Sequence, residues 1–240
     1  MTDLLYSRQK DLELNQIPSA IVVGCGGTGS EVVRLLAMSG CLDLSLFDAD
    51  RLEIHNFNRL CIPAEGNLGR PKTEAIAEYI KLLRPDCQIT TYGKATVYNL
   101  LEVPNGEYLF DCTDSQETQI MLCQWAKDNN RIYIRCGYDG THVTICDSVP
   151  QWQTSDKPTT GYEIRPSWVV PATLAACFAV SKAMYASDTE VRADLKDFQK
   201  GYPSRRTTYE EQIIYREPMM RLVTITEEEY KELKEAAKHE

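Results

Sequence analysis

Short apolar runs alternate with helix-spaced apolar positions along most of this 240-residue chain. "AIVVG" (20–24) reads as a buried strand. "SEVVRLLAMSG" (30–40) has the 3.6-residue spacing of a helix and stops on glycine. "LDLSLFD" (42–48) is a second strand, followed by an irregular stretch over 49–71. A helix is predicted near 72–83, ended by Pro85, and then a strand near 88–92. "EYLFDCT" (107–113) is a strand running into a loop, with a helix near 116–128. "RIYIRC" (131–136) and "HVTIC" (142–146) are two more strands.

This alternation predicts an α/β fold: a Rossmann-like, mainly parallel sheet flanked by helices, with late antiparallel strands and a polar C-terminal extension. Residues 1–187 form one domain, with an N-terminal arm (1–18) and a long Pro- and Thr-rich crossing loop (149–167). "WVVPATLAACFAVSKAMYAS" (168–187) reads as a buried helix despite Pro171, because Pro, Ser and Lys make a poor membrane span. The extension, 188–240, is charged; it holds a predicted strand, "MMRLVTI" (219–225), and a final exposed helix, and no chemistry is assigned to it.

Composition narrows the partners. With 43% hydrophobic and 25% charged residues, the chain can bury a core and remain soluble. No run is long enough for a membrane span, and Asp3, Arg8, Lys10, Asp11 and Glu13 break any leader-like apolar run, so a cytoplasmic location is expected. The net charge of −9 argues against a nucleic-acid clamp; Arg205, Arg206 and Arg216 read as a solvated face. Nine scattered cysteines without a C-x-x-C pair suggest reduced core thiols, and neither they nor the three histidines outline a metal cluster.

Gly24, Gly26 and Gly29 form G-x-G-x-x-G between a predicted strand and helix. Glycines there allow a tight turn and close approach of a phosphate to backbone amides at a helix N-terminus. Asp48, 19 residues past Gly29, stands where a carboxylate accepts ribose hydroxyls. NAD satisfies the pattern to that point. The next residues favour a triphosphate: Asp50, Asn56, Asn58 and Arg59, then Lys72 at a helix start. A guanidinium and an ammonium offset the charge of a polyphosphate, which a nicotinamide site does not require. "FDCTDSQ" (110–116) places Asp111 and Asp114 at another strand end, and Asp114 suits Mg²⁺ or a helix N-cap over Glu117.

Read in order, these segments resemble the ThiF/MoeB family, the adenylating half of ubiquitin-activating enzymes. Its G-x-G-G-x-G loop, D-x-D, N-x-N-R, G-x-x-K and T-D are matched by Gly24–Gly29 (with Gly26, Gly27), Asp48–Asp50, Asn56–Arg59, Gly69–Lys72 and Thr113-Asp114. "LLYSRQ" (4–9) resembles the family's opening segment, whose arginine enters the partner subunit's ATP site. The resemblance implies a homodimer with Arg8 acting in trans. It further implies ATP and Mg²⁺ as cofactors, with a small ubiquitin-like or sulfur-carrier protein ending Gly-Gly as partner. That carboxylate would attack the α-phosphate and release pyrophosphate. Arg8, Arg59 and Lys72 would hold phosphates, Asn56 would orient them, Asp48 the ribose and Asp114 the Mg²⁺. Asp50, Asn58 and Ser115 would complete the nucleotide site.

The chain departs from the pattern at T-D-N-x-x-x-R: Gln119 stands near the place of the arginine. No cysteine lies between Cys146 and Cys177, so the crossing loop offers no thioester nucleophile. Two other classes compete. An NAD- or FAD-linked oxidoreductase leaves Arg59, Lys72 and Asp114 without purpose. A non-catalytic scaffold for a ubiquitin-like protein would be expected to lose the arginine or the lysine. Within the enzyme class, activation of a tRNA-base carboxylate stays open, and the acidic net charge counts against it.

Overall fold

A computed structural model describes residues 5–103, 106–149 and 167–196. Its seven strands are β1 (Ser19–Val23), β2 (Asp43–Phe47), β3 (Gln88–Tyr92), β4 (Tyr108–Asp111), β5 (Ile132–Asp139), β6 (His142–Cys146) and β7 (Val191–Asp194). Its helices are α1 (Gly27–Ser39), α2 (Lys72–Leu83), α3 (Val97–Leu101), α4 (Gln116–Asp128) and α5 (Val169–Met184). The sheet order is β3-β2-β1-β4-β5-β6-β7. The first five strands are parallel; β6 and β7 are antiparallel to their neighbours. The expected architecture is therefore present.

Alternation along β1 sorts two cores onto two faces of the sheet. Ala20 and Val22 join Leu36, Leu44, Ile76, Ile80, Phe110 and Ala179 beneath α1, α2 and α5. Ile21 and Val23 join Phe47, Leu109, Leu122 and Trp125 beneath α4. All five β1 residues are buried, as befits a parallel strand covered on both sides. Helix α1 ends on Gly40 at φ 106, and the Cys41 amide returns to the Leu36 carbonyl, a glycine C-terminal stop. Pro171 falls in the first turn of α5, where a missing N–H leaves no intrahelical bond unmade.

Several element limits differ from the sequence reading. The glycine loop itself forms the first turn of α1, which begins at Gly27. β5 runs on to Asp139 and turns directly into β6. The short helix α3 has too few periodic positions to be read. β7 is "VRAD", a polar strand recognisable only by its pairing with β6, and it carries the sheet past residue 187. The strand expected at 219–225, the terminal helix, most of the crossing loop and Arg205, Arg206 and Arg216 lie outside the described residues. Among the described residues, no helix is long and apolar enough to cross a membrane.

Candidate functional site

The chain leaves β1 for β2 and β3 on one side, and β4 and β5 lie on the other. The strand order thus reverses between β1 and β4, and the crevice at their carboxyl ends is where open α/β sheets bind ligands. The loops after β1, β2 and β4 all open there.

The turn after β1 is held so tightly that only glycine fits at two positions. Gly24 has φ 87, and a Cβ on it would lie 2.8 Å from the Cys112 carbonyl oxygen. A Cβ on Gly29 would lie 1.8 Å from the Gly24 oxygen. Gly26 differs, since a Cβ there would meet nothing within 4 Å. The space above Gly26 faces a helix start without a side-chain cap. In the same first turn the buried Thr28 hydroxyl has no hydrogen-bond partner. An uncapped helix start with room over a glycine is a cradle for an anion.

Asp48 locks the cradle to β2. One carboxylate oxygen accepts the Cys25 amide at 2.6 Å and the other accepts the Asp50 amide at 2.7 Å. Burial raises its pKa, while nearby Lys72 pulls the other way. The irregular stretch proves to be a folded strap. Leu52 and Gly69–Arg70 exchange backbone bonds, and Arg51 bridges Pro71. The strap delivers Lys72, the first residue of α2, to Asp50, with Nζ 2.7 Å from its carboxylate. The lysine is nearly buried and the aspartate exposed, so the ammonium is placed by the fold and its partner borders solvent.

Asn56 is buried, and its side-chain oxygen accepts the Glu53 amide at 3.1 Å. It therefore shapes the turn that carries Arg59. The Arg59 guanidinium donates to the His55 carbonyl at 3.0 Å and to Asn58 Oδ1 at 2.9 Å. Its stem presses on the loop, since a Cβ on Gly27 would fall 2.9 Å from Arg59 Cγ. Asn58 Nδ2 donates to the Ser167 carbonyl, tying this turn to the far end of the crossing loop.

The loop after β4 backs onto Gly24 through Cys112. Asp111 is fully buried, and its oxygens are engaged by the Thr113 amide and hydroxyl and by the Tyr133 hydroxyl. Asp114 and Ser115 are exposed. Ser115, not Asp114, caps α4, accepting the Thr118 amide at 3.4 Å. The N-cap reading of Asp114 is thus replaced, because the helix begins one residue later than that reading needs.

Arg8 is not brought to this crevice. It is exposed on a 3-10 turn, Ser7–Leu12. The preceding Tyr6 packs over Gly40 at the opposite end of α1, and the Arg84 guanidinium stacks on its ring and donates to its hydroxyl. The helix runs thirteen residues from Gly27 to Ser39, a length of about 20 Å. The Tyr6–Arg84 anchor escaped the sequence reading, although Arg84 beside Pro85 at a helix end was its visible trace. A second omission is Arg135, a buried arginine between the buried Ile134 and Cys136 of β5.

The model of the ThiF family matches residues 5–166. The chain is 33% identical over 134 residues to the tRNA threonylcarbamoyladenosine dehydratase of Haemophilus influenzae, covering 52% of this chain and 51% of that protein. It is 32% identical over 106 residues to the adenylyltransferase and sulfurtransferase MOCS3 of Drosophila sechellia, covering 43% of this chain and 23% of that one. The match thus spans about half the length of the first relative and about a quarter of the second. In fold it is similar to the microcin C7 biosynthetic enzyme MccB solved with N-formylated MccA: TM-score 0.61 at 17% identity, over 81% of this chain and 68% of that one. A glycine cradle at the switch point, with the strap that brings a lysine and an arginine beside it, thus accompanies a match over well over half the sequence: the chain belongs to the ThiF family.

Proposed function

We propose that the chain binds Mg-ATP in this crevice and activates a carboxylate as an acyl-adenylate. The carrying observation is the strap: it sets the Arg59 stem against the glycine loop and the Lys72 ammonium on Asp50, whose amide donates to the same Asp48 that is fixed on the Cys25 amide. A dinucleotide needs the cradle and Asp48; only a polyphosphate needs the two cations.

The incoming carboxylate oxygen forms a bond to the α-phosphorus as the bond to the bridging oxygen breaks and pyrophosphate leaves. The nucleophile is already ionised, so no general base is required. Lys72 and Arg59 offset the repulsion between two anions and the charge gathering on pyrophosphate. Arg8 of a second copy completes that set in a homodimer. Asp48 orients the ribose; the amides of Gly26 and Gly27 face phosphate oxygens. Asn56 acts by shaping the turn beneath Arg59, and Asn58 and Asp50 hold the two cations in place. Among the described residues no three His, Cys, Asp or Glu side chains gather as a metal group. The exposed Asp114 carboxylate would be the chain's own ligand to Mg²⁺, which suits a cation commonly held by one or two carboxylates. Bound there, Mg²⁺ supplies charge stabilisation on the phosphates.

The substrate proposed is the C-terminal carboxylate of a small ubiquitin-like or sulfur-carrier protein ending Gly-Gly. The relationship to an adenylyltransferase and sulfurtransferase supports it, as does a net charge of −9, which disfavours a polyanionic partner. A tRNA-base carboxylate is the second reading, favoured by relatives named as tRNA threonylcarbamoyladenosine dehydratases.

Calorimetry against Mg-ATP and NAD tests the reading. Mg-ATP is expected to bind and NAD not to. Arg59→Ala with Lys72→Ala should weaken Mg-ATP at least about 100-fold, the scale of losing such charged contacts. Binding of NAD in preference, or a double variant as tight as the parent, refutes it. ATP–pyrophosphate exchange with a Gly-Gly-tailed β-grasp protein or with threonylcarbamoylated tRNA separates the two substrates.

A further inference from the structure

Thr113 joins Cys112, on which Gly24 rests, to Asp114. All three of its polar atoms are engaged. Its amide and hydroxyl donate to Asp111 at 3.0 and 2.7 Å. Its carbonyl accepts from Gln119 Nε2 at 2.7 Å. Gln119 is itself buried in the first turns of α4, with its amide on the Ser115 carbonyl. The other end of its side chain, Oε1, accepts from Arg135 Nε at 3.2 Å.

Arg135 belongs to β5, in register with Asp111 on one side and Cys146 on the other, and is 8% exposed. Its guanidinium sits over Gly137, where a Cβ would lie 3.6 Å from both terminal nitrogens. Burying a guanidinium is costly unless it is paired and hydrogen-bonded, and an apolar residue would serve the strand better. Here the helix contributes a neutral amide and the adjacent strand contributes the cation.

We propose that Gln119 and Arg135 are a positioning pair, a guanidinium supplied from β5 and relayed through a helix amide, that fixes the Thr113 carbonyl and thereby sets Asp114 for Mg-ATP. Neither residue touches the nucleotide. The inference rests on the Mg-ATP reading above. It deepens that reading by naming what holds the loop.

Four proteins test it by calorimetry with ATP, with and without Mg²⁺: the parent, Arg135→Ala, Gln119→Met, and Arg135→Ala combined with Gln119→Arg. Each single variant is expected to lose about tenfold in Mg-ATP affinity and less than about twofold for metal-free ATP, because Asp114 acts through the metal. The combined variant places a guanidinium on the helix and should recover to within about threefold of the parent. Thermal unfolding accompanies each measurement. Gln119→Met keeps the side-chain length, so it decides the matter if Arg135→Ala does not fold. Single variants that bind Mg-ATP like the parent overturn the inference. So does an equal loss with and without Mg²⁺ that tracks lowered stability, or a combined variant no better than Arg135→Ala. A parent that ignores Mg-ATP sinks the functional reading, and this inference with it.

Discussion

Two glycines five positions or fewer apart in the same loop make opposite demands. Gly29 is a packing glycine, since any Cβ there collides with the Gly24 carbonyl, which cannot yield without opening the turn. Gly26 has open space over it and a φ of −78 that any residue adopts. Gly29→Ala is therefore expected to cost about 3 kcal/mol or more of stability, the upper range of overpacking, seen as a lowered urea midpoint. Gly26→Ala should leave stability within about 0.5 kcal/mol of the parent, because the half-buried position has nothing within 4 Å of an added Cβ, while weakening Mg-ATP through the methyl placed in the cradle. If Gly26→Ala binds Mg-ATP undiminished, phosphates do not pass over that residue. The sequence presents the two glycines as one motif. Only the distances separate the one that packs the turn from the one with open space over it.

At the scale of elements, the loop between β4 and α4 carries a buried charge with a definite pH signature. Burial raises the pKa of Asp111, against the pull of its hydrogen bonds from Tyr133 and Thr113 and of the Arg135 charge. Between its ordinary and its raised value, the folded chain holds a proton that the unfolded chain has released. The Asp111 contribution to stability therefore falls as pH rises through that window. Asp111→Asn removes the titration and keeps one oxygen able to accept both Thr113 bonds, which share Oδ1. The difference in urea midpoint, parent minus variant, should shrink or turn negative as pH climbs from 4 toward neutrality. A difference independent of pH would show that the carboxyl is not held against its charge. The same loop marks how far sequence carries. Strand and helix periods made α2 legible to the residue, and the spacing of Asp48, Arg59 and Lys72 pointed to the candidate site as a set. Patterns along the chain carry no information on register, so Arg135 lying beside Asp111, and "VRAD" pairing with β6, stayed invisible. That Asn56 scaffolds its turn was not legible, because this depends on where one side-chain oxygen points.

At the scale of the whole molecule, the N-terminal arm and the crevice lie at opposite ends of α1. Tyr6 is held at Gly40 by Arg84, whose charge is fixed by Asp86 at 2.7 Å and whose guanidinium also donates to the Ala37 carbonyl. The arm is further tied at Asn15, whose amide donates to Met184. An arm pinned at both points cannot carry Arg8 some 20 Å back along α1 to its own glycine cradle. If Arg8 serves an ATP site at all, that site belongs to another copy, and the dependence can be read by complementation. Arg8→Ala and Lys72→Ala chains, each expected to bind Mg-ATP poorly alone, are unfolded together in equal amounts and refolded. Random pairing into two-fold dimers gives mixed dimers in half the cases, each with one crevice that keeps Lys72 and receives an intact Arg8. Tight Mg-ATP sites should then return to about a quarter of the parent number, counted by calorimetric stoichiometry. No recovery, with both variants folded, would mean that the arm reaches its own crevice by leaving Arg84, or that Arg8 has no part in holding phosphate. An Arg84→Ala chain separates those two: freeing the arm should raise the affinity of a monomer in the first case and leave it unmoved in the second.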